Sequence, residues 1–175
     1  FLLSTSYAAL VEELGFRLMG IGLFLAIASL ITYKGPSRLS VFLRALLWPG
    51  SLDEEVRRSL RTVMYFLVVS TSIPFGLVHL ASWEVGKALT ATIAGLVLGT
   101  CFITYGLYAS ILIHWYFNYH LQVWWIYYAT TGSTAIGLVG VILFFLELVL
   151  GVISMVMFAV LGLGRIIKRG EGPTW

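Results

Sequence analysis

The sequence is short of charge. Of its 175 residues only 11% are Asp, Glu, Lys or Arg, against about 25% in an ordinary soluble domain. The net charge of +3 is small, and the cations stand in loops and near the C-terminus, where they read as orientation signals rather than nucleic-acid contacts. Cysteine is nearly absent: Cys101 is alone, which excludes an intrachain disulfide, and its apolar neighbours give it a packing role. The apolar runs are continuous rather than alternating, which argues against a transmembrane β-barrel. The sequence opens on Phe1 rather than methionine, and the expectation is a fragment or processed chain with helices missing upstream.

Apolar residues make up 59% of the sequence. Several runs reach the ~18–20 residues that cross a bilayer. The reading is an all-α, polytopic transmembrane helical bundle forming a single domain over 1–175, with about five spans at 6–33, 62–81, 88–105, 107–129 and 134–162. The first span stops at Lys34-Gly35-Pro36. Residues 37–49 are too short to span and carry Arg38 and Arg44, which suggests an interfacial or re-entrant segment. Ser51-Leu52-Asp53-Glu54 has a capping-box pattern. Pro74 is expected to kink the second span and free a carbonyl near His79. A short polar break holds Trp83, Glu84 and Lys87. The third span is rich in Gly, Ala and Thr, which suits close packing. Turns fall near Gly106 and at Thr131-Gly132-Ser133, and Trp124, Trp125, Tyr127 and Tyr128 form an interfacial belt. The basic segment 37–61 and the tail with Arg165, Lys168 and Arg169 fall on one side, read as cytoplasmic.

Against this background the stretch Glu12-Glu13-Leu14-Gly15-Phe16-Arg17 stands out, because ionisable groups in a membrane segment cost ~2.5–3.5 kcal/mol each and usually face protein or a wet cavity. Glu13 and Arg17 are four apart and share a helix face, as do Phe75 and His79, and His114 and Asn118. Glu12 is turned about 100° from Glu13 and need not belong to the Arg17 pair. A structural role accounts for Glu13 with Arg17 as a buried pair, and for each histidine taken singly as an interhelical hydrogen-bonding group. Glu147 also reads as structural. Taken together, a carboxylate and an imidazole can hold and deprotonate a water, while a second imidazole and an amide can stabilise an oxyanion. Ser110, four before His114, is the weak exception to the lack of a serine or cysteine paired with histidine. On this topology Glu12 and His79 lie towards the outer face, whereas His114 follows Leu107 by seven residues on a helix entering from inside; long or tilted helices are needed to bring them together.

Glu12-Glu13-x-x-x-Arg17, Phe75-x-x-x-His79 and His114-x-x-x-Asn118, in that order on successive membrane helices, resemble the CPBP (ABI) family of glutamate-type intramembrane proteases, to which the type II CAAX prenyl endopeptidases belong. The resemblance covers roughly residues 8–130. It implies Glu12 as general base acting with His79, His114 and Asn118 as the oxyanion site, Glu13 and Arg17 as support for the architecture and the substrate peptide, and Phe75 shaping the pocket. It implies no metal or other cofactor. The partners it implies are the lipid bilayer and a peptide or protein substrate, prenylated in the CAAX-processing members, with no nucleic acid. Other members protect against bacteriocins or act as scaffolds, so a non-catalytic membrane protein is the first alternative. A zinc hydrolase using His79, His114 and Glu12 is the second, without the usual His-Glu-x-x-His signature. A transporter or proton relay finds no inverted repeat to support it.

Overall fold

The computed structural model describes the backbone of residues 2–81 and 85–170, and side chains from Ser6 to Val160 apart from residues 81–85, 121, 125, 148, 152, 154, 155, 158 and 159. Trp83, Glu84 and the side chains of Trp125, Arg165, Lys168 and Arg169 lie outside the described residues. The protein is an all-α polytopic membrane bundle, with no strand among the described residues. Helices Ser6–Thr32, Glu54–Val78, Gly86–Tyr105 and Thr134–Gly151 have the length and hydropathy to cross a membrane. The helix Leu107–Thr131, expected as a further span, has 25 residues. His114, Asn118, His120, Gln122 and its Trp and Tyr residues lower its hydropathy, and it is not among those four. The chain gathers into two compact units, Phe1–Tyr119 and His120–Trp175.

The first unit begins with one long helical rod in three stretches: α1 (Leu2–Glu13), a π-helical segment (Leu14–Leu23) and α2 (Phe24–Thr32). π-Turns are rare and concentrate at functional sites; here ten residues of them follow directly on Glu13. Gly15, Gly20 and Gly22 thin the side chains along that stretch. A Cβ on Gly22 would meet the Leu46 carbonyl and lie 3.1 Å from Phe102 Cζ, so glycine permits the close approach of the next helix there. The rod ends at Tyr33, which is extended, as Gly35 and Pro36 require.

The short segment after it is a helix, α3 (Arg38–Leu47), that buries Val41 and Ala45 and leaves Leu39, Leu43 and Leu47 exposed at a spacing of four. A helix with apolar contacts on both sides, too short to span, suits the membrane interface. The indole N–H of Trp48 anchors its end by donating to the Thr104 carbonyl at 2.9 Å.

Two local expectations are corrected. The capping box does not form: Pro49–Ser51 is a short 3-10 turn, the Ser51 hydroxyl donates to the Trp48 carbonyl, and α4 (Glu54–Val78) starts behind Asp53. Asp53 makes no side-chain cap because its carboxylate faces Arg44 at 3.3 Å. Pro74 lies inside a continuous α4, and the carbonyl beside His79 is freed by the end of the helix instead. There the His79 N–H turns to Gly76 and Leu77, and the Phe75 carbonyl accepts from His79 Nδ1 at 2.7 Å.

The seam between α4 and α5 (Val85–Tyr105) is lined with small residues, as the composition suggested. A Cβ on Gly95 would lie 3.1 Å from Ser72 Cα, and one on Gly99 would lie 3.0 Å from the Val68 side chain. Gly106, at φ 92°, makes the tight turn into α6 (Leu107–Thr131). Cys101 is free and buried, in keeping with packing. The core below the seam comprises Ile21, Leu25, Leu60, Met64, Val68 and Phe102, among others.

In the second unit Gly132, at φ 65°, turns the chain from α6 into α7 (Thr134–Gly170). Gly137 faces Tyr128 and Gly140 faces Trp124, so small residues admit the rings of the opposing helix. Glu147, isolated in sequence, meets His120 Nε2 at 2.8 Å, which supplies the partner an intramembrane carboxylate requires.

Candidate active site

The site is assembled by α1, the π-helical segment, α4, α5 and α6. Glu13 is its hub. Its carboxylate has no exposure and receives three groups: His114 Nδ1 at 2.8 Å from Oε1, the Ser110 hydroxyl on Oε2, and Arg17 Nε at 3.4 Å from Oε2. A buried carboxylate with a hydrogen bond on each oxygen and a cation beside it is the arrangement in which burial of charge is tolerated. Arg17, also buried, points Nη2 at the Gly95 carbonyl at 3.4 Å and lays its guanidinium over the Phe75 ring, 4.5 Å from its centroid. Nε and Nη1 of Arg17 are buried without a hydrogen-bond partner among the described residues.

Glu12 faces elsewhere, as the 100° offset predicts. Its Oε2 is buried, has no hydrogen-bond partner among the described residues, and lies 3.7 Å from Nε2 of His114. His114 thus stands between the two acidic side chains, with Nδ1 on Glu13 and Nε2 towards Glu12. A carboxylate oxygen accepts, so Nδ1 carries a proton and Nε2 is the nitrogen left for chemistry.

His79 reaches the same region through Phe75. The Phe75 ring lies 5.1 Å from the imidazole of His79 and 5.8 Å from that of His114. Since a carbonyl only accepts, the bond to the Phe75 carbonyl puts the proton of neutral His79 on Nδ1 and its lone pair on Nε2, the form a general base needs. His79, His114, Asn118, Phe75 and Phe117 line one cavity of about 330 Å³ with residues of α5.

The expected mismatch in depth does not arise, because α5 and α6 are long and run antiparallel. Ser110 reaches the Leu98 carbonyl near the start of α6, while Phe117 and Asn118 share the cavity with Thr90 and Ala91 nearer the start of α5. All seven residues singled out in the sequence, Glu12, Glu13, Arg17, Phe75, His79, His114 and Asn118, therefore lie around one locus of the first unit. Ser110 is the group whose contact was missed. Its spacing of four from His114 put it on the right face, but as a partner of Glu13 rather than of the imidazole. Among the described residues no three His, Cys, Asp or Glu side chains gather as metal ligands.

A family model described as type II CAAX prenyl endopeptidase Rce1-like matches residues 1–120. The chain belongs to this family. No curated protein and no solved structure matches it. The Rce1-like match ends within a residue of the first compact unit, at Tyr119, and contains every residue of the site. At family level the protein is thus an integral membrane, CAAX-type protease, and its partners are protein substrates and the membrane.

Proposed function

We propose that this chain is an intramembrane endopeptidase that hydrolyses a peptide bond with a water activated by Glu12 and His79. The observation that carries the reading is Glu12 Oε2, a buried acceptor with no hydrogen-bond partner among the described residues, held 3.7 Å from His114 Nε2 beside the histidine-lined cavity. Two polar atoms at that separation are too far apart to bond directly and close enough to share one water. Glu12 takes a proton from that water, with the lone pair of His79 Nε2 as second acceptor. The hydroxide adds to the peptide carbonyl. His114 Nε2–H and the Asn118 amide donate to the oxyanion. In that state both nitrogens of His114 are protonated, Glu12 is neutral, and the charges of His114 and Arg17 balance those of Glu13 and the oxyanion. The carbon–nitrogen bond breaks as Glu12 returns its proton to the leaving amine. No step requires a metal.

Prenylated proteins are the substrate class the family description favours. The basic segment 37–61 and the C-terminal end are assigned to the cytoplasmic side by the charge distribution. Glu12→Ala and His79→Ala are each expected to abolish cleavage while the protein still inserts and folds; full activity in either variant would sink these roles. A second reading, a non-catalytic scaffold of the same family, draws on the complete burial of the Glu13 cluster. It predicts that Glu12→Gln and His114→Ala strongly destabilise the protein and that no peptide is cleaved.

A further inference from the structure

A second polar site lies at the membrane boundary, away from the proteolytic cluster. Residues 34–61 contain six Lys or Arg and three Asp or Glu, a surplus of three positive charges, equal to the net charge of the whole protein. Some of that charge is neutralised locally. Arg44 faces Asp53, and Arg57 pairs with Glu54. Arg58 and Arg61 reach the same Glu54 oxygen only at 3.9 Å, so one carboxylate serves three guanidinium groups. Arg57 and Arg61, one turn apart, line a cavity of about 230 Å³ with Tyr65, Gly50 and Thr104.

Beyond this cavity the exposed face of α4 continues. Arg57, Arg61, Tyr65, Val69 and Ile73 follow one another at a spacing of four, so they form one ridge inclined along α4. Each of them is exposed. Read along a helix that enters the membrane, their order is cation, cation, phenol, aliphatic, aliphatic. A membrane phospholipid has the complementary order: phosphate, interfacial ester, hydrocarbon. Arginine pairs bind phosphate through charge-assisted, forked hydrogen bonds, and a tyrosine beneath them sits where its hydroxyl stays at headgroup level.

We propose that this cavity seats the phosphate of one anionic phospholipid, with Arg57 and Arg61 as its ligands and the acyl chains lying along Tyr65, Val69 and Ile73. The site is independent of proteolysis and holds whether or not Glu12 is catalytic. Arg58 supplies the control. It carries the same charge on the same helix but lines a separate depression with Glu54, Glu55 and Ser59.

The test is native mass spectrometry of the purified full chain offered equal amounts of phosphatidylglycerol and phosphatidylcholine. One phosphatidylglycerol is expected to be retained per chain in preference to phosphatidylcholine. Arg61→Gln is expected to weaken that retention about fivefold, with Arg58→Gln unchanged. Equal retention of the two lipids would overturn the proposal. So would equal losses in Arg58→Gln and Arg61→Gln, which is diffuse attraction to a basic surface. Displacement of the lipid by inorganic phosphate at the same concentration would overturn it too, since the site would then bind a free anion.

Discussion

Nδ1 of His114 lies 2.8 Å from Oε1 of Glu13, across 101 residues of sequence, and neither group is open to solvent. This contact fastens α6 to α1 and fixes which imidazole nitrogen faces Glu12. It also leaves Arg17 dependent on Glu13, the carboxylate nearest its guanidinium. Glu13→Gln keeps the shape and removes the charge, so an unbalanced guanidinium remains buried. Breaking one side of a buried pair costs about 3–5 kcal/mol. The thermal midpoint of the purified Glu13→Gln protein should fall accordingly, whether or not a substrate is present.

Ser110 gives a finer measure of the same cluster. Its single hydroxyl proton goes to Glu13 Oε2, with the Leu98 carbonyl at 3.3 Å as the weaker neighbour. A hydrogen bond to a charged acceptor contributes about 1.5–3 kcal/mol, so Ser110→Ala is expected to lose stability in that range. Because Glu13 holds His114, cleavage should slow through kcat with KM little changed. A drop in stability with kcat intact would mean that Glu13 keeps the imidazole in place without the serine.

The glycine seam sets how near α4 and α5 come behind the site. A Cβ on Gly76 would meet Thr92 Oγ1 and lie 2.6 Å from the Ala88 carbonyl. The carbonyl belongs to helix backbone and cannot turn aside, so Gly76→Ala must push the helices apart. Overpacking of this kind costs about 1–3 kcal/mol. Gly86→Ala, where nothing among the described residues lies within 4 Å, is the matched control and should not lower the melting temperature.

The membrane class and the helix order were legible in the sequence, because each rests on a local pattern. Apolar runs set the helices, and a spacing of four set Glu13 with Arg17, Phe75 with His79 and His114 with Asn118. Their convergence was not legible. That Glu13 meets Ser110 and His114 depends on how α1, α5 and α6 pack, and the sequence alone left Glu13 paired with Arg17 only. The π-helical run after Glu13 was likewise hidden, since its glycines thin the side chains without specifying which hydrogen-bond ladder forms. The capping box failed because the Ser51 hydroxyl turns back to the Trp48 carbonyl in the 3-10 turn, and the helix starts two residues later, behind Asp53. The carbonyl beside His79 was expected, but it comes from the end of the helix and not from Pro74. Hydropathy sets α6 apart from the other long helices because it carries His114, Asn118, His120, Gln122 and several Trp and Tyr residues.

The central claim is that Glu12 activates the attacking water. The most direct measurement is cleavage of a panel of prenylated and unprenylated peptides by the reconstituted protein, with Glu12→Ala run beside it at matched folding. The wild-type protein is expected to cut at least one prenylated peptide, and Glu12→Ala to be slower by about 10²–10⁴, the contribution of a positioned general base. Equal cleavage by the two proteins would contradict it.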